Sequence, residues 1–372
     1  MVPAKAPSAT HRRRVLLIPP RFVGDALLHV GVARLLKQEG LAEWVGLQTP
    51  KALHPFFEGV PELDALVPTD KRGLAAVKEL HSLQLSHVLL ARLSMREGVQ
   101  AQLAGGLTGV PRVVGLGLQR YGKGLFFPTR VGLHQAVPYS MHQPQQHHMR
   151  SLLTLVETAF GLSLPPHYLE PTAWHALCAL APTTCPSAFD DEGLRTTLQA
   201  LGGACPSQQP TWVLHWASAS ANKMPSPQAL VPLLRHLQGL GLQLVASGLA
   251  TDAPLYHALN DHLHTPMVVL AGHGSLPMLA SLLRQAQGLV GLDSAPLHLA
   301  AAVGTPKVLG VYGAVSSLQW GPCVGPATHF VPLSLSLPCK PCVTKTCHHL
   351  GCRTLLQPQH YLQAFHTLHN ST

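Results

Sequence analysis

Two aspartates in this chain stand where a parallel strand should end and a helix begin, the place at which α/β folds hold their ligands. Asp293 follows the apolar run Gly288 to Leu292 and leads through Ser294 into a helix predicted from Ala295 to Val303, stopped by Gly304. His298 lies one turn inside that helix. The N-terminus of such a helix attracts phosphate, which makes Asp293, Ser294 and His298 candidate ligand contacts. Asp25 holds the matching place in the first half, after Val15 to Ile18 and within Arg21-Phe-Val-Gly-Asp25. A carboxylate there can take a proton from a reacting hydroxyl. It can equally cap the helix predicted over Ala26 to Gln38, and position alone leaves both readings open.

Scarcity sharpens the choice of carboxylate. From Gly193 to the C-terminus the acidic residues are Asp252, Asp261 and Asp293, and the first two flank a predicted helix, where solvation or capping explains them. The segment His215-Trp-Ala-Ser-Ala-Ser-Ala-Asn-Lys-Met-Pro225 leaves another strand. Its small residues and Lys223 suit a loop that wraps phosphate oxygens, although the glycines of a Walker A loop are missing. No Asp-x-Asp pair occurs, which disfavours metal-bridged diphosphate chemistry, and no His-Glu-x-x-His occurs either. Gly-x-Ser-x-Gly and Gly-x-Gly-x-x-Gly are also missing, which argues against a serine hydrolase elbow and a dinucleotide dehydrogenase.

Four of the eight cysteines gather as Cys339-Lys-Pro-Cys342, Cys347 and Cys352, with His348 and His349 alongside. A Cys-x-x-Cys with two later thiols can hold a structural zinc or an iron–sulfur cluster. Plain unligated thiols are the alternative, and neither reading makes this the reaction centre.

The elements that must position these residues alternate. Val15 to Ile18, Trp44 to Leu47, Leu63 to Val67, His87 to Leu90 and Arg112 to Val114 read as strands separated by helical stretches. The pattern restarts at Trp212 to His215, Gln243 to Ser247, Met267 to Leu270, Gly288 to Leu292 and Lys307 to Val311. Repeated βαβ units of this kind give two Rossmann-like halves with parallel sheets. Leu116 to Met149 breaks the rhythm and reads as a long loop, either functional or disordered. Gln146 to Phe160 reads as a helix, Pro165 to Pro186 as a linker. The division expected is a tail over 1–13, domains over 14–185 and 186–355, and a C-terminal helix over 356–372 packing back on the first domain.

Composition bounds the partners. The 372 residues are 46% hydrophobic, ample for two cores, and only 5% aromatic, which disfavours base-stacking platforms. Lys and Arg outnumber Asp and Glu by 26 to 17, for a charge of +9, so an anionic partner is expected and nucleic acid is not. Val15 to Ile18 is cut short by Pro19 and Pro20, too soon for a signal peptide, and no apolar run is long enough to span a bilayer. A cytoplasmic protein is expected, peripheral at the inner face of the cytoplasmic membrane.

Together these motifs resemble the ADP-heptose:lipopolysaccharide heptosyltransferases, glycosyltransferase family 9. The resemblance rests on Val23-Gly-Asp25 before a helix, on Asn222-Lys-Met-Pro225, and above all on Asp293-Ser-Ala-Pro-Leu-His298-Leu-Ala-Ala-Ala-Val-Gly304-Thr-Pro306. Trp320-Gly-Pro322 and the Cys-x-Pro-Cys cluster extend it. It implies the GT-B architecture, two Rossmann-like domains facing across a cleft, and inverting sugar transfer from a nucleotide donor without an obligatory metal or other cofactor. It implies Asp25 as the base, and Ser218, Ser220 and Lys223 on the donor diphosphate. Asp293, Ser294 and Ala295, supported by His298, would bind sugar and phosphates, and Gly274 and Ser275 would line the adenine pocket. Arg21, Arg120 and Lys123 are the residues expected to meet a lipopolysaccharide core acceptor. Ser294-Ala295 replaces the family's Thr-Gly, and Arg-Trp is missing from the Lys223 loop. A catalytically silent nucleotide-binding regulator or assembly partner is the alternative function.

Overall fold

The computed structural model describes residues 13–93, 95–105, 111–118, 130–140, 146–218, 224–340, 342, 347 and 349–370. Two six-stranded sheets, parallel throughout, carry the fold. The first contains β1 (Arg14–Ile18), β2 (Trp44–Thr49), β3 (Ala65–Pro68), β4 (His87–Leu90), β5 (Arg112–Leu118) and β6 (Gln135–Tyr139), in the order β3-β2-β1-β4-β5-β6. The second contains β7 (Thr211–His215), β8 (Gln243–Ala246), β9 (Val268–Val269), β10 (Gly288–Leu292), β11 (Lys307–Val311) and β12 (His329–Leu333), in the order β12-β11-β10-β7-β8-β9.

Both orders are the doubly wound order, with one switch point between β1 and β4 and the other between β7 and β10. At a switch point successive connections leave on opposite faces and open a crevice beyond the strands' carboxyl ends. The central strands are buried on both faces and read as unbroken apolar runs, as in Val15-Leu-Leu-Ile18 and Gly288-Leu-Val-Gly-Leu292. Prolines fall only where a ladder tolerates a missing N–H: Pro68, Pro138 and Pro332 lie in the edge strands β3, β6 and β12.

Two of these edge strands correct the sequence expectation. β6 lies inside the stretch read as a long loop, and β12 lies in a stretch given no element. Each is five residues long with an internal proline, a weak pattern rescued by pairing with β5 or β11. The stretch read as a linker contains the helix Pro171–Cys178, which buries Trp174, Leu177 and Cys178 against the helix Val23–Gln38. The C-terminal helix Pro358–Asn370 packs on the second domain, not the first. Its stripe Tyr361, Ala364, Phe365 and Leu368 joins the cluster of Trp212, Leu214, Leu237 and Leu309. The open face of the second sheet offers an apolar partner for that stripe. Among the described residues no helix is long and apolar enough to cross a membrane.

The domains share one apolar seam. Helix Val23–Gln38 of the first half lies against helix Ala295–Val303 of the second, and their buried residues belong to a single cluster. That seam brings the two candidate aspartate loops together.

Candidate active site

Asp25 is the third residue of helix Val23–Gln38, which begins after Phe22. The cap position is therefore Phe22, and the capping reading of Asp25 is corrected: its carboxylate sits inside the first turn, half-buried, where the helix dipole favours an anion. Gly24 before it has its Cα against the second domain. A Cβ added there would stand 2.8 Å from Cδ2 of His298. The backbone beside Asp25 thus touches the helix that begins just after Asp293.

On that side, Asp293 follows β10, and its N–H donates to the Val311 carbonyl at 3.0 Å. Ser294 starts the helix but does not cap it through its side chain. Its hydroxyl donates to the Leu292 carbonyl at 3.1 Å. Pro296 contributes no N–H, and the Leu297 N–H turns back to the Ser294 carbonyl at 3.1 Å. Asp293, Ser294, Ala295 and His298 are all half-buried around this turn. The ring of Tyr312 is buried beside them; burial and the charge of Asp293 raise its phenol well above the ordinary range.

The remaining expected donor contacts divide. Ser218 follows β7 across the switch point from Asp293 and is half-buried, whereas Ser220 and Lys223 lie outside the described residues. Gly274 and Ser275 are exposed beyond the edge strand β9, and Ser275 Oγ accepts the Met278 N–H at 3.2 Å as a helix cap. Of the acceptor candidates, Arg21 is exposed in the loop after β1, and Arg120 and Lys123 lie outside the described residues.

A group of imidazoles around Asp25 escaped the sequence reading. His29 Nδ1 lies 2.7 Å from the Asp25 carbonyl. A carbonyl can only accept, so Nδ1 carries the proton and the ring is neutral at its other nitrogen. Burial lowers this imidazole to about 4, against the opposing pull of that hydrogen bond. His148, also buried, stacks on Trp320 of the second domain at 4.8 Å and meets Tyr139 edge-on at 5.6 Å. Burial, then the neighbouring imidazoles, lowers His148 to about 3. Tyr139 is shifted the other way, raised by burial and by the charge of Asp25.

Around these rings the domains are tied by hydrogen bonds. His147 Nε2–H donates to the Gly321 carbonyl at 2.9 Å while its Nδ1 accepts the Met149 N–H at 3.1 Å, which fixes its tautomer. Gln319 Nε2 donates to the Ser140 carbonyl at 2.9 Å. The Leu180 N–H donates to the Ala302 carbonyl at 2.7 Å. Burial thus holds the rings of His29, His147 and His148 neutral. His29 and His148 sit on otherwise apolar helix faces, and a histidine in such a face gives no signal distinct from a core residue.

Cys339, Cys342, Cys347, Cys352 and His349 line one small cavity. The Cys342 N–H donates to the Ala314 carbonyl at 2.8 Å and Lys340 Nζ to the Tyr312 carbonyl at 3.1 Å, so this loop is moored beyond the carboxyl end of β11. Burial pushes the Cys352 thiol up. Among the described residues no three Cys, His, Asp or Glu side chains are grouped to hold a metal ion.

With this geometry in place, the chain was compared with known proteins. A family model for glycosyltransferase family 9 (heptosyltransferase) matches residues 137–352. Lipopolysaccharide heptosyltransferase 3 of Escherichia coli is 35% identical over 88 residues, which are 23% of this chain. That match spans about a quarter, 26%, of the curated relative's length. Among solved structures, Escherichia coli ADP-heptose lipopolysaccharide heptosyltransferase II superposes with a TM-score of 0.69 at 18% identity, covering 95% of this chain and 98% of that one. A family 9 glycosyltransferase from Veillonella parvula gives the same TM-score at 16% identity, over 96% and 97%. An Escherichia coli heptosyltransferase with ADP gives 0.60 at 16% identity, over 86% and 93%. At these identities the structures establish the fold, two Rossmann-like domains of the GT-B kind.

Proposed function

The chain belongs to glycosyltransferase family 9, the heptosyltransferase family, and from that premise we propose that it transfers a heptose from ADP-heptose to the core of lipopolysaccharide, with inversion. The observation that carries the proposal is the contact of Gly24 with His298, which brings the backbone beside Asp25 against the helix that begins after Asp293. Asp25 takes the proton of an acceptor hydroxyl as its oxygen attacks the anomeric carbon. The bond to the donor diphosphate breaks on the opposite face of the sugar, so one displacement inverts the configuration. Charge developing on the departing diphosphate meets the N-terminus of helix Ala295–Val303, with Ser218, Ser220 and Lys223 on the loop after β7. Buried and neutral, His29 and His148 add no positive charge of their own beside Asp25.

In this reading no metal takes part in transfer, and zinc at the four thiols would fasten a loop only. The acceptor is reached from the inner face of the cytoplasmic membrane. The test is incubation with ADP-heptose and a lipid-free lipopolysaccharide core oligosaccharide, with and without EDTA, followed by mass spectrometry. The expected product is heavier by one heptose and forms equally with EDTA. Binding of ADP-heptose without transfer to any core acceptor would replace this reading with a silent nucleotide-binding regulator.

A further inference from the structure

Cys178, Cys185, Cys205 and Cys323 are buried, and the mechanism above uses none of them. Two of the four meet across the domain boundary. Cys178 ends helix Pro171–Cys178, and a Cβ on Gly31 of helix Val23–Gln38 would stand 2.8 Å from its sulfur. Cys323 comes from the second domain, on the loop between Trp320 and β12. Its thiol is hydrogen-bonded to Cys178, and the two residues are 6% and 4% exposed.

One buried cysteine is a small apolar residue, and packing explains it. A second thiol set against it from another domain is not explained that way. The loop that carries Cys323 is held from the first-domain side at two carbonyls. His147 donates to that of Gly321, and His175 Nδ1–H donates to that of Cys323 at 3.3 Å. Trp174, in the same helix as His175 and Cys178, stacks on His147 at 4.9 Å. A Cβ on Gly325 would run into the His175 ring, so the loop lies close on that helix. The two sulfurs therefore keep a fixed relation, and a hydrogen-bonded pair is the precursor of a disulfide of about 2.05 Å. Such a bond would act at Gly31, about two turns along the helix from Gly24, which meets His298.

We propose that Cys178 and Cys323 are a redox modification site: a small-molecule disulfide oxidises them to a bond that ties the two domains together at this seam. In the first exchange one cysteine sulfur attacks the small disulfide and releases one small thiol, leaving a mixed disulfide. In the second, the other cysteine attacks the protein sulfur of that mixed disulfide and releases the second small thiol. The two cysteine protons end on the two released thiols, and two electrons pass to the small disulfide. Excess dithiol reverses both exchanges. While the seam is closed, the hydrogen bond with Cys178 and then burial raise the Cys323 thiol well above its ordinary range, which keeps it protonated and unreactive. Oxidation therefore waits for the seam to open, and the bond then holds it shut.

The full chain is incubated at neutral pH, without denaturant, in a glutathione buffer rich in the disulfide. Remaining thiols are alkylated, and peptide mass mapping with fragmentation places each bond. A bond between Cys178 and Cys323 is expected, formed over minutes to hours and reversed by dithiothreitol. The oxidised chain should melt about 4 °C or more above the reduced one. The thiols from Cys339 to Cys352 meet the same oxidant, so C178A and C323A serve as controls, and each should lose both the bond and the rise in Tm. Should a variant not fold, the map and the melting of the unaltered chain still decide. No Cys178–Cys323 bond without denaturant, or a bond that brings no rise in Tm, overturns the proposal. So does an equal rise in folded C323A. None of these readouts depends on sugar transfer.

Discussion

Gly24 and His298 meet across the domain boundary so closely that a Cβ on Gly24 would lie 2.8 Å from Cδ2 of the imidazole. Glycine inside a helix is costly by itself, and here the cost is offset by letting two helices approach where a side chain would hold them apart. The contact sets the spacing between the helix that carries Asp25 and the helix that begins after Asp293.

Gly24→Ala tests that reading directly. Alanine suits a helix better than glycine, so helix propensity alone favours the variant. The added methyl nevertheless meets a half-buried ring, an overpacking that costs about 1–3 kcal/mol. A lower Tm and at least tenfold slower transfer are expected together. A variant as stable and as active as the parent would mean that the helices are not held at this spacing.

Asp25→Asn keeps the shape of the side chain and removes its basicity. Loss of a general base costs about 10²–10⁴-fold in rate. Donor binding, proposed at the opposite domain, should stay within a factor of about two, given the independence of separated sites. Single-turnover transfer and calorimetric titration with ADP-heptose separate the two. Equal loss of binding and rate would assign Asp25 to donor contact instead of proton transfer.

The parallel sheets, the aspartate turns and the cysteine cluster were legible because each is a local pattern. Apolar runs of strand length mark the central strands, and Asp293 is one of only three carboxylates from Gly193 onward. What escaped depends on pairing at a distance. β6 and β12 are edge strands interrupted by Pro138 and Pro332, and only their neighbours make them strands. The amphipathic stripe of helix Pro358–Asn370 predicts burial but not which sheet receives it. His29 and His148 lie near Asp25 only through the fold, and Cys178 and Cys323 meet only across the domain boundary. Asp25 itself shows the limit well: with Phe22 as the cap, a helix start three positions earlier turns a capping residue into a first-turn carboxylate.

Helix Pro358–Asn370 should be indispensable to the second domain. Phe365, 1% exposed, meets Trp212 edge-on at 5.3 Å inside that domain's core. Phe365→Ala removes a large buried ring, a change that costs about 3–5 kcal/mol. Urea denaturation should show the loss, and stabilisation by ADP should begin from a correspondingly lower midpoint. A loss below about 1 kcal/mol would imply that the helix is loosely attached.

Stability should fall on mild acidification, and the sign follows from the buried imidazoles. His29 is held at about 4 and His148 at about 3, both below the ordinary 6.5. His215, whose Nδ1 lies 3.0 Å from Ser247 Oγ at the end of β7, is likewise lowered by burial to about 4. Between those values and 6.5 the unfolded chain binds protons that the folded chain refuses. Stability therefore rises with pH through this window and drains as pH falls through it, by about 1.4 kcal/mol per pH unit for each such ring. Thermal melts from pH 7.5 down to pH 5 should show Tm declining from about pH 6.5. His148→Phe retains an aromatic ring against Trp320 and Tyr139 but has no proton to gain, so its decline should be shallower by that ring's share. An identical decline in the variant would mean that His148 takes up its proton in the folded protein as readily as in the unfolded chain.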